Sequence, residues 1–345
     1  MDAIAALGAI ISGRTLTREE ARATMTSVMA GQATAAQLGA LLATLHLRGE
    51  TVDEIVGFAE AMRSAAIPVR LAREAVDIVG TGGSRIDPFN ISTISSIAAA
   101  AAGAKVAKHG NRAATGKCGS ADVLEALGVK IDLGPEEAAL CVEEVGVAFL
   151  FAPRYHPAMR HASPVRREIR IRTVFNILGP ISNPAGVRRM VLGVATPQVG
   201  ESIARALGEL GADHVIVVHG EDGLDDISPT GPTRTWELRD GSVTTGTIDP
   251  AALGLPVGTV LEIQSGDATA NAATARSIVR GEPGARRTAV LLNAAAGLLV
   301  GGSVESLREG VLRAAAAIDS GSASAPLDRF VEASQRLGAA ASAPA

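Results

Sequence analysis

Residues 79–93 read V-G-T-G-G-S-R-I-D-P-F-N-I-S-T, directly after the apolar run Val76-Asp77-Ile78-Val79. Glycine costs backbone entropy, so a cluster such as Gly80, Gly82 and Gly83 answers a need for tight turning or for close approach to bare backbone. Free N–H groups at a turn and a helix N-terminus make an anion site, to which Ser92 and Thr93 would add hydroxyls for a phosphate or a metal. The stretch is neither G-x-x-x-x-G-K-[ST] nor G-x-G-x-x-G, and taken alone a plain strand-to-helix turn explains it equally well. A second group, Lys105, Lys108, His109, Gly110, Asn111, Arg112, Gly116, Lys117 and Ser120, has the basic residues and glycines that suit a phosphate ester, or a solvated basic loop. A third, F-A-P-R-Y-H-P-A-M-R-H followed by P-V-R-R-E, carries the only Tyr, with three of the six Phe between 149 and 175. A planar apolar slot beside an Arg would suit an aromatic carboxylate, although packed or surface histidines are the simpler reading. A fourth, H-G-E-D-G-L-D-D from His219, places Asp225 beside Asp226. Adjacent carboxylates suit Mg²⁺ completed by phosphate oxygens and water, provided the backbone turns to bring both to one side. An acidic surface turn is the alternative.

These residues need a scaffold whose loops meet. Thr17, Thr34 and Thr51 each open a capping box, with Leu38, Leu41, Leu42 and Leu45, then Ile55, Phe58, Ala59 and Met62, at helical spacing. They predict a helical domain over 1–70, with helices near 160–185 as candidates to join it. From residue 75, apolar runs at Val76–Val79, Lys105–Ala107, Val147–Phe151, Val191–Ala195 and Val215–Val218 alternate with helical stretches near 93–102, 120–127, 136–145 and 198–210. Further helices are expected near 268–280, 286–300 and 303–319. Such alternation predicts an α/β domain over 71–337 with a mostly parallel sheet, whose carboxyl edge would carry the loops above. The Ala/Ser/Pro-rich tail, 338–345, is expected to be disordered, and the Gly/Pro-rich loop at 176–186 is a candidate hinge.

Composition narrows the function. The 345 residues carry a net charge of −4 and 2% aromatics, which disfavours a general nucleic-acid binder. No run of about 18 strongly apolar residues predicts a membrane span, and the N-terminus lacks the pattern of a signal peptide. Two cysteines, Cys118 and Cys141, do not make a disulfide framework. The expectation is a cytoplasmic protein without nucleic-acid or membrane partners.

Taken in order, G-T-G-G with F-N-I-S-T, K-H-G-N-R with C-G-S, F-A-P-x-x-H-P-A-M-x-H with P-V-R-R-E, R-T-x-F-N-x-L-G-P-x-x-N-P, H-G-x-D-G-L-D and S-G-D-A-x-x-N-A resemble the anthranilate phosphoribosyltransferases of tryptophan biosynthesis. The motifs run through residues 80–93, 108–120, 151–168, 172–184, 219–226 and 265–272. The resemblance implies a helical domain and an α/β domain of the nucleoside-phosphorylase type, in a homodimer joined through the helical domains. It implies that the 5-phosphoribosyl group of phosphoribosyl pyrophosphate (PRPP) passes to the amine of anthranilate with Mg²⁺ as cofactor. PRPP would meet Gly80, Thr81, Gly82, Gly83, Ser84, Asn90, Ile91, Ser92, Thr93, Lys108, the segment from His109 through Gly110 and Asn111 to Gly116, and Ser120. Anthranilate would meet Gly80, Asn111, Pro153, His156 and Arg166, the last through its carboxylate. Ser92, Asp225 and Asp226 would hold the metal, and His109 is the candidate for catalytic help at the amine. Departures from the pattern are Ser84 for Asp, Pro88 for Thr or Ser, Cys118 for Ser, Arg170 for Gly, Ser265 for Gly, and Asp226 for Glu, which shortens a ligand by about 1.5 Å. They leave open another aromatic amine or a nucleobase as acceptor. A non-catalytic nucleic-acid-binding relative would need a basic surface.

Overall fold

The structure, a computed structural model, describes residues 1–113, 116–321 and 323–341. Four helices open the chain: α1 (Ala3–Ile11), α2 (Arg18–Met29), α3 (Ala35–Arg48) and α4 (Val52–Ser64). Thr17, Thr34 and Thr51 each accept from the N–H three residues on, while Glu20, Gln37 and Glu54 reach back to the threonine N–H. Each helix start thereby satisfies donors that the helix itself leaves open. The apolar stripes of α3 and α4 turn inward as their spacing predicts. Glu54 is buried among them because the Leu16 N–H, the Thr51 N–H and the Arg48 guanidinium all donate to it, which compensates its lost hydration.

The remaining elements are β1 (Val76–Gly80), α5 (Ile91–Ala101), β2 (Val106–Gly110), α6 (Ser120–Leu127), α7 (Pro135–Val145), β3 (Val147–Phe151), α8 (Ala152–Tyr155), α9 (Ser163–Ile169), α10 (Val174–Ile181), β4 (Arg189–Gly193), α11 (Gly200–Glu209), β5 (His214–Gly220), β6 (Thr233–Arg239), β7 (Ser242–Ile248), α12 (Ala268–Val279), α13 (Ala285–Val300), α14 (Leu307–Asp319) and α15 (Ser324–Ala341). The sheet runs β3-β2-β1-β4-β5-β6-β7, parallel from β3 through β5 and antiparallel beyond. Successive strand residues face opposite layers. Ile216 and Val218 join the core shared with α5 and α13, whereas Val215 and Val217 join the core shared with α11 and the N-terminal helices. Strand order reverses direction between β1 and β4, and the crevice at the carboxyl ends of strands flanking such a switch is where open α/β sheets bind ligands.

Several expectations shift. The second strand begins and ends later than expected, at Val106–Gly110, so Lys108 and His109 are strand residues rather than loop residues. The fourth is Arg189–Gly193 rather than Val191–Ala195. The antiparallel pair β6–β7 has no counterpart in the expected elements. Residues 174–181 are helical, not loop, and Val165, Phe175 and Leu178 pack in the core that holds Leu38 and Leu42. At the C-terminus α15 continues through Ala341 with Leu327, Phe330 and Leu337 buried, so the expected disorder from Gly338 does not begin there. Residues 342–345, and Ala114 and Thr115 of the expected phosphate loop, lie outside the described residues.

Candidate active site

The loops after β1, β2 and β5 converge at the switch point. Gly80 ends β1, and Gly82 and Gly83 adopt φ of 66° and 75°. The Asp225 backbone crosses directly over β4: its carbonyl lies where any Cβ on Gly193 would stand, so only glycine lets the β5 loop reach the β1 turn. There the Gly82 N–H donates to Asp225 Oδ2 at 2.7 Å. The Ser84 hydroxyl donates to the Ile86 carbonyl and lies against the Asp225 carboxylate. Thr81 braces the turn from below, its Oγ1 accepting from the Ala195 N–H at 3.2 Å. Pro88 lacks an N–H, and the bridge it makes to Gln264 is held instead by the Phe89 and Ser265 N–H groups.

From β2, Lys108 Nζ donates to the Ile78 carbonyl (2.6 Å) and to Ser92 Oγ (3.1 Å) in the first turn of α5. An ammonium has three donors, so one remains for a ligand. Lys108 is buried between the carboxylates of Asp77 and Asp226; burial lowers its pKa and those two charges oppose the fall. No side chain caps α5, and Thr93 Oγ1 is buried without a partner among the described residues. The Ile91 side chain is core, leaving only its backbone to the crevice. Asn90 is held from both sides, donating to the Cys118 carbonyl and accepting from Asn271, which also donates to Ser265 Oγ.

The chain bends at Asp225 and Asp226, both are buried, and their carboxylates are close enough for their charges to interact. Burial raises the Asp225 pKa, opposed chiefly by the Gly82 N–H. Burial raises that of Asp226 further, then the neighbouring Asp225 charge adds to it, with Lys108 opposing. Two crowded buried carboxylates are what a divalent cation relieves. Among the described residues no group of three or more His, Cys, Asp or Glu gathers to hold a metal. Carboxylates with a hydroxyl suit Mg²⁺, which leaves positions for phosphate oxygens and water.

Beside this lies a second polar region. His109 Nδ1 is 3.1 Å from the Gly179 carbonyl; a carbonyl only accepts, so Nδ1 carries the proton. Burial, then His156, holds the His109 pKa down to about 3. The ring is neutral at physiological pH, and Nε2 is a lone-pair acceptor. The His156 ring is 5.1 Å away, with its pKa also lowered by burial. Among the described residues neither Nε2 has a protein partner, and the Ser182 hydroxyl is likewise buried and unpaired. Arg166 stacks its guanidinium 5.2 Å from the Phe175 ring centre, and burial lowers its pKa.

Asn111, Gly116 and Pro153 are exposed, Gly116 lying against Asp87 of the loop after β1, and Ser120 begins α6. Lys105 instead donates to the Val142 and Glu143 carbonyls at the end of α7, and Arg112 is paired with Asp122 and Glu125. Tyr155 forms no substrate slot: it is buried, donating to the Leu133 carbonyl at 2.9 Å. Conversely, Asp77 was passed over. Burial pushes its pKa up to about 6 against the Lys108 charge, and it accepts from Asn183 Nδ2 at 2.8 Å and from the His109 N–H at 3.3 Å. Its signal was a lone carboxylate in V-D-I-V, an otherwise apolar strand.

Residues 72–324 match the glycosyl transferase family, a/b domain, and residues 4–66 match the helical bundle domain of the same family. The chain is 50% identical over 325 residues to the anthranilate phosphoribosyltransferase of Methylorubrum populi, covering 94% of this chain and 96% of that one. It is 48% identical over 325 residues to a Rhodopseudomonas palustris anthranilate phosphoribosyltransferase at the same coverage. The fold matches the crystal structure of anthranilate phosphoribosyltransferase from Thermus thermophilus with a TM-score of 0.91 and 44% identity, covering 97% of this chain and 100% of the other. The fold is also that of the Saccharomyces cerevisiae protein of this name in complex with PRPP and Mg (TM-score 0.89, 24% identity, 97% and 98% coverage).

Proposed function

The chain belongs to the anthranilate phosphoribosyltransferase family, and from that premise we propose that it transfers the 5-phosphoribosyl group of PRPP to the amine of anthranilate, releasing pyrophosphate, in tryptophan biosynthesis. The observation that carries this reading is the meeting, at one sheet edge, of a glycine turn, the Lys108–Ser92 pair and the Asp225–Asp226 pair beside two unpaired imidazole nitrogens. The amine lone pair forms the C1–N bond while the C1–O bond breaks and its electron pair leaves on pyrophosphate. Lys108, the turn and the open end of α5 support binding of the phosphates; Ser92, Asp225 and Asp226 would hold Mg²⁺, which when bound supplies charge neutralisation for the leaving group. His109 Nε2, with His156 beside it, accepts a hydrogen bond from the amine and then its proton; a base this weak suffices, because the newly alkylated arylammonium is strongly acidic. Catalysis is otherwise positioning and electrostatic stabilisation.

Anthranilate fluorescence should fall when protein, PRPP and Mg²⁺ are all present and hold steady when any is omitted. Turnover only with a different amine would overturn the choice of acceptor. Arg166→Ala should raise the KM for anthranilate by about 10- to 100-fold while leaving that for PRPP within about twofold. Equal damage to both would remove Arg166 from the anthranilate site.

The reading includes a helical domain over 1–70, joined by α9 and α10 through their shared core, and a homodimer through that domain in the cytoplasm. Exposed Ile4 (58%) and Ile11 (70%), seven residues apart on α1, and Leu47 (88%) on α3 support such an interface. Two buried free cysteines agree with a reducing compartment. Ile11→Glu should lower the mass measured by light scattering from dimer to monomer; an unchanged dimer would place the interface elsewhere.

A further inference from the structure

Arg172 lies between Arg170, whose left-handed φ of 50° ends α9, and the start of α10. Its guanidinium nevertheless reaches the glycine turn after β1. Arg172 Nη1 donates to the Gly82 carbonyl and occupies the position that a Cβ on Gly83 would need. Gly82 is thus held at both of its peptide groups, its N–H by Asp225 and its carbonyl by Arg172. The guanidinium is also close enough to Asp225 for their charges to interact.

A backbone carbonyl needs one donor, whereas a guanidinium offers five in a planar fork that matches phosphate oxygens. At a turn that carries a buried carboxylate, a multiply charged anion needs cations on more than one side. Lys108 supplies one from β2, and its position is fixed by Ile78 and Ser92. Arg172 supplies another from the segment before α10, at the Gly82–Gly83 turn, with most of its donors uncommitted among the described residues.

We infer that Arg172 is a pyrophosphate-contacting residue: it rests on the Gly82 carbonyl in the free protein and engages the pyrophosphate group of PRPP, and of the product, when they bind the turn. This rests on the proposed phosphoribosyl transfer, although the pyrophosphate contact can be measured independently of turnover. Pyrophosphate with Mg²⁺ should be titrated calorimetrically into the wild type, Arg172→Gln and Arg172→Lys, with thermal unfolding and steady-state kinetics on each. Arg172→Gln should bind pyrophosphate about 10- to 100-fold more weakly, with Arg172→Lys between it and the wild type. The KM for PRPP should rise, while that for anthranilate stays within about twofold. Pyrophosphate affinity within twofold of wild type in Arg172→Gln would overturn the inference, and a lowered unfolding temperature alongside would make Arg172 a latch for the turn. A wild type that binds pyrophosphate through Arg172 yet ignores anthranilate would instead sink the choice of acceptor and leave this contact standing.

Discussion

Lys108→Met is expected to lower kcat/KM for PRPP by about 10³-fold, the scale of losing a preorganised charged donor at the developing anion. The side chain keeps its length, so the loss reports the ammonium. Removing it also strips Asp77 and Asp226 of the cation that opposes their raised pKa values. The variant should therefore be less stable by about 3 kcal/mol at neutral pH. The sign of its pH dependence follows. Asp77 titrates in the folded protein near 6, above its unfolded value of 3.8, so its stability cost is present at high pH and lifts as pH falls through the folded pKa. Without Lys108 that pKa rises further. Thermal unfolding should find the variant closer to the wild type at pH 5 than at pH 8. A uniform deficit across that range would show that Lys108 and Asp77 are not coupled as the geometry requires.

Asp226→Asn should separate stability from activity. The folded-state pKa of Asp226 stands well above 3.8 because of burial and the Asp225 charge. Above the ordinary carboxylate range this burial therefore costs the metal-free protein stability, and stability falls as pH rises toward that folded pKa. The amide removes this cost, so metal-free Asp226→Asn should unfold at a higher temperature than the wild type at pH 7. At limiting Mg²⁺ its kcat/KM should fall on the order of 10²-fold or more, because one anionic metal ligand has gone. Added Mg²⁺ should raise the wild-type unfolding temperature in the presence of pyrophosphate much more than that of the variant. A variant with unchanged Mg²⁺ dependence would remove Asp226 from the metal site.

The helical start of the chain was legible because its signals are local: three threonine caps and two apolar stripes specify α2, α3 and α4 without reference to the rest. The parallel strands were legible for the same reason, as β-branched runs between helices. The β6–β7 hairpin was missed because T-R-T-W-E-L-R alternates polar and apolar residues instead of forming a continuous apolar run. Its signal was Asp240-Gly241, both at positive φ (50° and 74°), the requirement of a tight two-residue hairpin turn. The C-terminal helix was hidden by its Ala/Ser composition, although Leu327, Phe330 and Leu337 mark a buried stripe.

For the site, residue types pointed to one crevice but not to who partners whom. Four cations looked alike in the second motif. Only tertiary packing assigns Lys105 to a helix end and Arg112 to an ion pair, leaving Lys108 facing Ser92. Arg172 stood in a motif without a role because its partner, Gly82, is 90 residues away in sequence. Asp77 and Asn183 likewise meet only in the fold.

The most direct test of the central claim follows both products of one reaction. With PRPP and Mg²⁺ in excess, mass spectrometry and pyrophosphate detection should record one pyrophosphate released for each anthranilate consumed, and a product whose ribose 5-phosphate is attached at the former amine. Pyrophosphate release without loss of anthranilate, or a product carrying the sugar on another acceptor supplied in competition, would contradict the account.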